Sequence, residues 1–84
     1  MKIMTFNIQH LRNYTKDFID PELFIKTIGD IDPDICGLNE VRGRGTRDDY
    51  TEQTSTLASA LEMHGVFGCS AMIAGTNAYG NAVL

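Results

Sequence analysis

Two strand-like runs, each closing on a polar residue with a helix start between them, confine the fold of this chain more than any other feature. Lys2 to Ile8 alternates, with Met4, Phe6 and Ile8 on one side and Ile3, Thr5 and Asn7 on the other. That is the pattern of a strand covered on both faces, with a polar residue surfacing at its end. Asp34 to Val41 (Asp-Ile-Cys-Gly-Leu-Asn-Glu-Val) is a second short, mostly apolar strand. Between them, Asp20-Pro21 supplies an N-cap and a first-turn proline, and Phe24, Ile28 and Ile31 follow at helical spacing. The spacing predicts a helix over 21–30. Asp32-Pro33 ends it, because the residue before a proline avoids helical geometry. Strand, helix and strand in this order form a βαβ unit, so the two strands are expected to be parallel with a right-handed crossover.

The remainder extends the same architecture. Residues 10–18 read as an irregular polar loop, and 43–48 as a loop rich in glycine and arginine whose glycines mark flexibility. Asp49 with Glu52 resembles a capping box. Thr54, Leu57, Ala58 and Leu61 then form the inward stripe of a second helix, with Gly65 as its C′ residue. Residues 66–73 and 79–84 read as strands joined by the turn-rich segment 74–78. The order β-α-β-α-β-β predicts one small α/β domain over 1–84, with a mixed sheet whose first two strands are parallel.

Composition narrows the function classes. Hydrophobic content of 43% and charged content of 21% are those of a globular protein rather than a disordered one. A net charge of −4 argues against a chain whose whole surface grips nucleic acid. Basic charge is instead local: Arg42, Arg44 and Arg47 lie just after Glu40. No apolar run approaches the roughly 18 residues that a membrane helix needs, so no membrane partner is expected. The N-terminus lacks a signal-peptide pattern, and the expected compartment is the cytoplasm. Cys36 and Cys69 are expected to be free thiols packed as small core residues.

Asn7 and Glu40, 33 positions apart, carry the chemistry. In open α/β sheets, ligands bind beyond the carboxyl ends of the strands, and both residues stand at such ends. Mg²⁺ is held by one or two carboxylates together with water and substrate phosphate, and a neighbouring amide can orient the carboxylate or bond a phosphate oxygen. Spacing alone leaves open, and slightly favours, a strand-end Glu and Asn that merely cap loops.

Three blocks in order, Lys-Ile-Met-Thr-Phe-Asn-Ile-Gln-His at 2–10, Asp-Ile-Asp-Pro-Asp-Ile-Cys-Gly-Leu-Asn-Glu-Val at 30–41 and Tyr-Gly-Asn-Ala-Val-Leu at 79–84, resemble the endonuclease/exonuclease/phosphatase family. The resemblance spans essentially the whole chain. It implies the N-terminal part of a deoxyribonuclease-I-like four-layer α/β sandwich that hydrolyses phosphodiesters or phosphomonoesters with Mg²⁺ or Mn²⁺. On that footing Glu40 matches the metal-binding glutamate and Asn7 the strand-end asparagine beside metal and phosphate. Asn39 departs from the family's usual glutamine, and Asn81 lies in its Gly80-Asn81-Ala82 block, structural or peripheral to the site. The family's later histidine, Asp-x-Asn pair and final Asp-His pair have no counterparts here. The expectation is a truncated domain, inactive alone, with the phosphoester substrate (nucleic acid or small phosphorylated molecule) left open. A non-catalytic half-domain that self-associates through a bare sheet face is the alternative.

Other signals weigh less. Asp30, Asp32 and Asp34 alternate like the start of a calcium loop, but Ile35 and Val41 replace the glycine and glutamate that such a loop requires. They read as punctuation between helix and strand. Arg42 and Arg44 have the donor geometry for substrate phosphates, or else form a solvated loop offset by Asp48 and Asp49. His10 follows Asn7 closely enough to approach the site but reads more as a solvated loop residue, and His64 reads as a helix C-terminal one. Tyr79 and Tyr14 could frame a substrate groove but read more as packing.

Overall fold

The computed structural model describes residues 1–84. Its main sheet has the strand order β1-β4-β6-β5, from β1 (Ile3–Asn7), β4 (Ile35–Arg42), β5 (Val66–Ile73) and β6 (Asn77–Val83). β1 and β4 are adjacent and parallel, with Ile3 opposite Ile35 and Asn7 opposite Asn39. β6 runs antiparallel to both β4 and β5. The expected mixed α/β arrangement is therefore present, with two additions. Residues 10–18, read as irregular, begin inside a tight turn at Gln9–Leu11 and contribute to a short antiparallel ribbon of β2 (Arg12–Asn13) and β3 (Phe18–Ile19). The closing hairpin turns in three residues, 74–76, because Asn77 already pairs with Ile73 as the first residue of β6.

Helix α1 (Pro21–Ile31) begins as its sequence dictates. The Asp20 carboxylate accepts from the Leu23 N–H, and Pro21 occupies the first turn, where no N–H is needed. It ends at Asp32, which adopts the left-handed conformation and returns its N–H to the Ile28 carbonyl. Helix α2 (Gln53–Leu61) departs at both ends. Asp49 makes no cap; it pairs with Arg42 and Arg47, and the N-cap position falls to Glu52, whose side chain does not cap. Glu62, not Gly65, closes the helix in the left-handed conformation, its N–H reaching the Ala58 and Ser59 carbonyls. His64 accordingly lies beyond the helix end.

Both helices lie on one face of the sheet. Ile8, Leu11, Ile28, Cys36, Leu38, Val41, Leu57, Ala58, Ala82 and Leu84 form the core, with Phe6 stacked on Phe24. The opposite face is bare, which corrects the reading of β1 as covered on both sides. Ile3 and Val66 are each 71% exposed, and Ile35 and Val83 share that face by register. Cys36 is buried as expected, but Cys69 is exposed, because β5 is an edge strand with little packed on it. Gly43 and Gly45 do not mark flexibility: a Cβ at Gly43 would meet the Phe67 ring at 2.9 Å, and one at Gly45 the Asn77 Oδ1 at 2.2 Å. They allow the loop to press against β5 and β6.

Leu38, fully buried in a core this small, carries much of the fold. Leu38→Ala is expected to cost about 2–5 kcal/mol, a large share of the roughly 5–15 kcal/mol that holds a typical domain. Urea unfolding that shows less than about 1 kcal/mol lost would contradict this packing.

Candidate active site

Strand parity poses a problem that β4 solves with an extra residue. Cys36 and Leu38 point into the core, so strict alternation would send Glu40 in after them. Pairing to β6 instead shifts between Leu38 and Val41: Leu38 faces Ala82 and Val41 faces Gly80, leaving Asn39 and Glu40 together against Asn81. This is a β-bulge. Val41 takes the inward position, fully buried, and Glu40 is turned out of the core. Glu40 takes φ +57°, a left-handed conformation that costs a non-glycine residue about 1–2 kcal/mol. Strain of this kind persists only where the surrounding structure imposes it.

A second strained segment faces the first. Gln9, His10 and Leu11 have φ of 46°, 46° and 62° in succession. The Asn7 Oδ1 accepts from the Gln9 N–H at 3.0 Å, the buried Leu11 anchors the turn, and Gln53 clamps it to the bulge strand. Gln53, 1% exposed, donates through Nε2 to the His10 carbonyl at 2.8 Å and accepts through Oε1 from the Arg42 N–H at 2.9 Å. Nothing in the sequence pattern singled out Gln53; its position beside the inward stripe of α2 was the available signal.

The polar ends now converge. The Tyr79 hydroxyl donates to Glu40 Oε1 at 3.2 Å, and His10 Nδ1 lies 3.3 Å from the same hydroxyl, both at the long end for such bonds. The His10 and Tyr79 rings meet at a tilted 58°. Asn39 Nδ2 donates to Asn81 Oδ1 at 3.1 Å. Two expectations are overturned here. His10 is half-buried against Tyr79 rather than solvated, because the left-handed turn folds it back. Tyr79 is no mere packing residue, because its register opposite Arg42, just past the bulge, sets its hydroxyl against Glu40.

The arginines divide. Arg42 has a side chain only 13% exposed, pairs with Asp49 at 3.2 Å and lies over the Tyr50 ring. Arg47 also reaches Asp49 and Tyr50. Arg44 is 83% exposed, with a loose contact to Glu52 at 3.4 Å. Arg42 and Arg12 share a cleft of about 180 Å³ with His10, Asp17 and Asp49.

Among the acidic side chains only Asp20 and Glu40 are half-buried; the others are exposed. Both Asp20 oxygens are used, one by the helix cap and one by Asn13. Glu40 has the Tyr79 hydroxyl and no salt bridge, so its charge has no cationic partner within 4 Å. A hard divalent cation would answer that want, and Asn7, Asn39 and Asn81 stand at the same end of the sheet. No group of three His, Cys, Asp or Glu side chains surrounds the position, so the fit is to an ion that keeps much of its water. Asp30, Asp32 and Asp34 form no such centre: Asp30 pairs with Lys26, Asp32 caps α1, and Asp34 accepts from the Lys2 N–H.

No protein-family model matches the chain, and no curated protein does. Among solved structures it is similar to the crystal structure of an endonuclease/exonuclease/phosphatase from Beutenbergia cavernae DSM 12333, with 25% sequence identity and a TM-score of 0.78. The similarity covers 99% of this chain and 25% of that one. The fold is that of part of an endonuclease/exonuclease/phosphatase structure. The chain spans about a quarter of that relative's length. Its mixed sheet, parallel β1–β4 pair and two helices are thus shared with an endonuclease/exonuclease/phosphatase protein. No helix of the chain is long and apolar enough to cross a membrane.

Burial first, then the charge of Glu40 and the bond to it, push the Tyr79 phenol up to about 12. The folded state therefore holds this proton more tightly than an unfolded tyrosine. The stabilisation is complete below about pH 10 and fades as pH rises from about 10 to about 12. Ultraviolet titration should show a phenolate step near 12 that Tyr79→Phe removes; no such step would contradict the burial of Tyr79 beside Glu40.

Proposed function

We propose that this chain supplies the metal-binding part of a phosphoesterase site, in which Mg²⁺ or Mn²⁺ assists attack of water on a phosphodiester or phosphomonoester. One observation carries the reading: Glu40 is a half-buried carboxylate without a cationic partner, turned out of the core by a strained bulge at the carboxyl end of a central strand. The likeness to an endonuclease/exonuclease/phosphatase supports it. A cation held by Glu40 would supply charge neutralisation at the phosphate oxygens.

The chain's own groups divide the remaining work. Glu40 is the anchoring ligand. The Asn7 carboxamide, fixed by the Gln9 N–H, orients groups at the strand end, and Asn81 borders the site through Asn39. Arg44, exposed and held only by a surface pair with Glu52, can exchange that pair for a substrate phosphate, whereas the largely buried Arg42 is committed to Asp49 and acts from a fixed position. One carboxylate is a weak claim on a strongly hydrated ion, so the 84 residues alone are expected to bind it loosely and to lack a group that positions the attacking water. Nucleic acids and small phosphorylated molecules both remain within this substrate class.

A second reading is favoured by the bare sheet face. Ile3, Ile35, Val66 and Val83 form an apolar surface that a self-associating half-domain would bury, with a pseudo-sandwich dimer as the form. Sedimentation at high concentration tests this reading, since a compact monomer excludes the dimer.

Calorimetric titration of the 84-residue chain with Mn²⁺ tests the main reading. Weak binding, abolished in Glu40→Gln with the fold intact, is expected, together with no hydrolysis of a generic phosphodiester above background. Binding unaffected by Glu40→Gln would refute the assignment, and robust turnover by a homogeneous sample would refute the expected inactivity.

A further inference from the structure

The phenol of Tyr79 stands between a carboxylate and an imidazole and has one hydrogen to give. A carboxylate oxygen only accepts, so the hydroxyl donates to Glu40 Oε1 at 3.2 Å. The His10 contact at 3.3 Å must then run the other way, with Nδ1–H donating to a lone pair of the phenol oxygen. We propose that Tyr79 is a positioning residue for Glu40 and that it fixes His10 as the Nδ1–H tautomer. A single relay from His10 through Tyr79 to Glu40 then sets the carboxylate's orientation and leaves Nε2 as the acceptor of the imidazole.

Each end of the relay is built by backbone strain. The β4 bulge presents Glu40, the left-handed turn after β1 presents His10, and the antiparallel register of β6 puts Tyr79 between them. Gln53 ties the His10 carbonyl to the Arg42 N–H, which keeps the two strained segments at a fixed separation. Burial and the neighbouring charge of Arg42 lower the His10 pKa, which agrees with a neutral ring. His10 lines the cleft shared by the donors Arg12 and Arg42 and the acceptors Asp17 and Asp49. Outer partners of a ligating side chain fix its orientation and commonly change metal affinity by about 10–100-fold when removed.

The Glu40 half of this inference rests on the metal reading; the tautomer half does not. Long-range ¹H–¹⁵N NMR on the 84-residue chain at neutral pH, without metal, is expected to show His10 protonated at Nδ1 and bare at Nε2. In Tyr79→Phe, which keeps the ring and removes the hydroxyl, the ring should move toward Nε2–H, and Mn²⁺ affinity measured by calorimetry should fall at least about tenfold. An Nε2–H tautomer in the unmodified chain would overturn the relay, and so would a Tyr79→Phe variant with unchanged tautomer. Unchanged Mn²⁺ affinity in that variant would overturn the positioning role. If the unmodified chain binds no Mn²⁺, the metal reading and the positioning role fall together, while the tautomer still decides the relay.

Discussion

One extra residue in β4 decides where the chain's only half-buried carboxylate without a capping role is placed. The sheet's period of two allows no polar residue at position 40 unless the register shifts, because Cys36 and Leu38 have already fixed the inward face. The bulge transfers the inward position to Val41 and turns Glu40 toward the end of the sheet where Asn7, Asn39 and Asn81 lie. Tyr79, His10 and Arg42 take their places around that shift. Without it, Glu40 would bury a charge, and no site of this kind would form.

The strain has to be supported from elsewhere, and the core supplies the support. Leu38 and Val41 flank the bulge and are both fully buried, so sliding the register by one residue would exchange apolar side chains for polar ones along the strand. Leu11 and Gln53 do the same for the left-handed turn, one by burial and one by paired hydrogen bonds. The helical face of the sheet is thus committed to holding the site in shape. The other face carries apolar side chains with nothing packed on them.

Much of this could be read from residue patterns. Alternation along 2–8, the Asp20-Pro21 start and the short apolar run at 34–41 gave the parallel β1–β4 pair, because period and capping chemistry are local. The strand-end positions of Asn7 and Glu40 followed. What was not legible depended on contacts between distant segments. The bulge is set by β6, more than thirty residues later, and Tyr79 joins the site only through that pairing. The same holds for His10, whose left-handed conformation no helix or strand propensity encodes, and for Gln53, buried by the two groups it satisfies. Asp49 looked like a cap because its spacing to Glu52 was right; two nearby guanidinium groups compete for it and win.

The most direct test of the account compares two variants at one position. Glu40→Ala and Glu40→Gly both remove the carboxylate and its bond to Tyr79, so their difference in unfolding free energy reports the backbone alone. If residue 40 is held in the left-handed conformation, the glycine variant will be the more stable by about 1 kcal/mol. If the strand is regular there, glycine will be the less stable by about 0.5–1 kcal/mol, and the bulge that places the carboxylate would have to be abandoned.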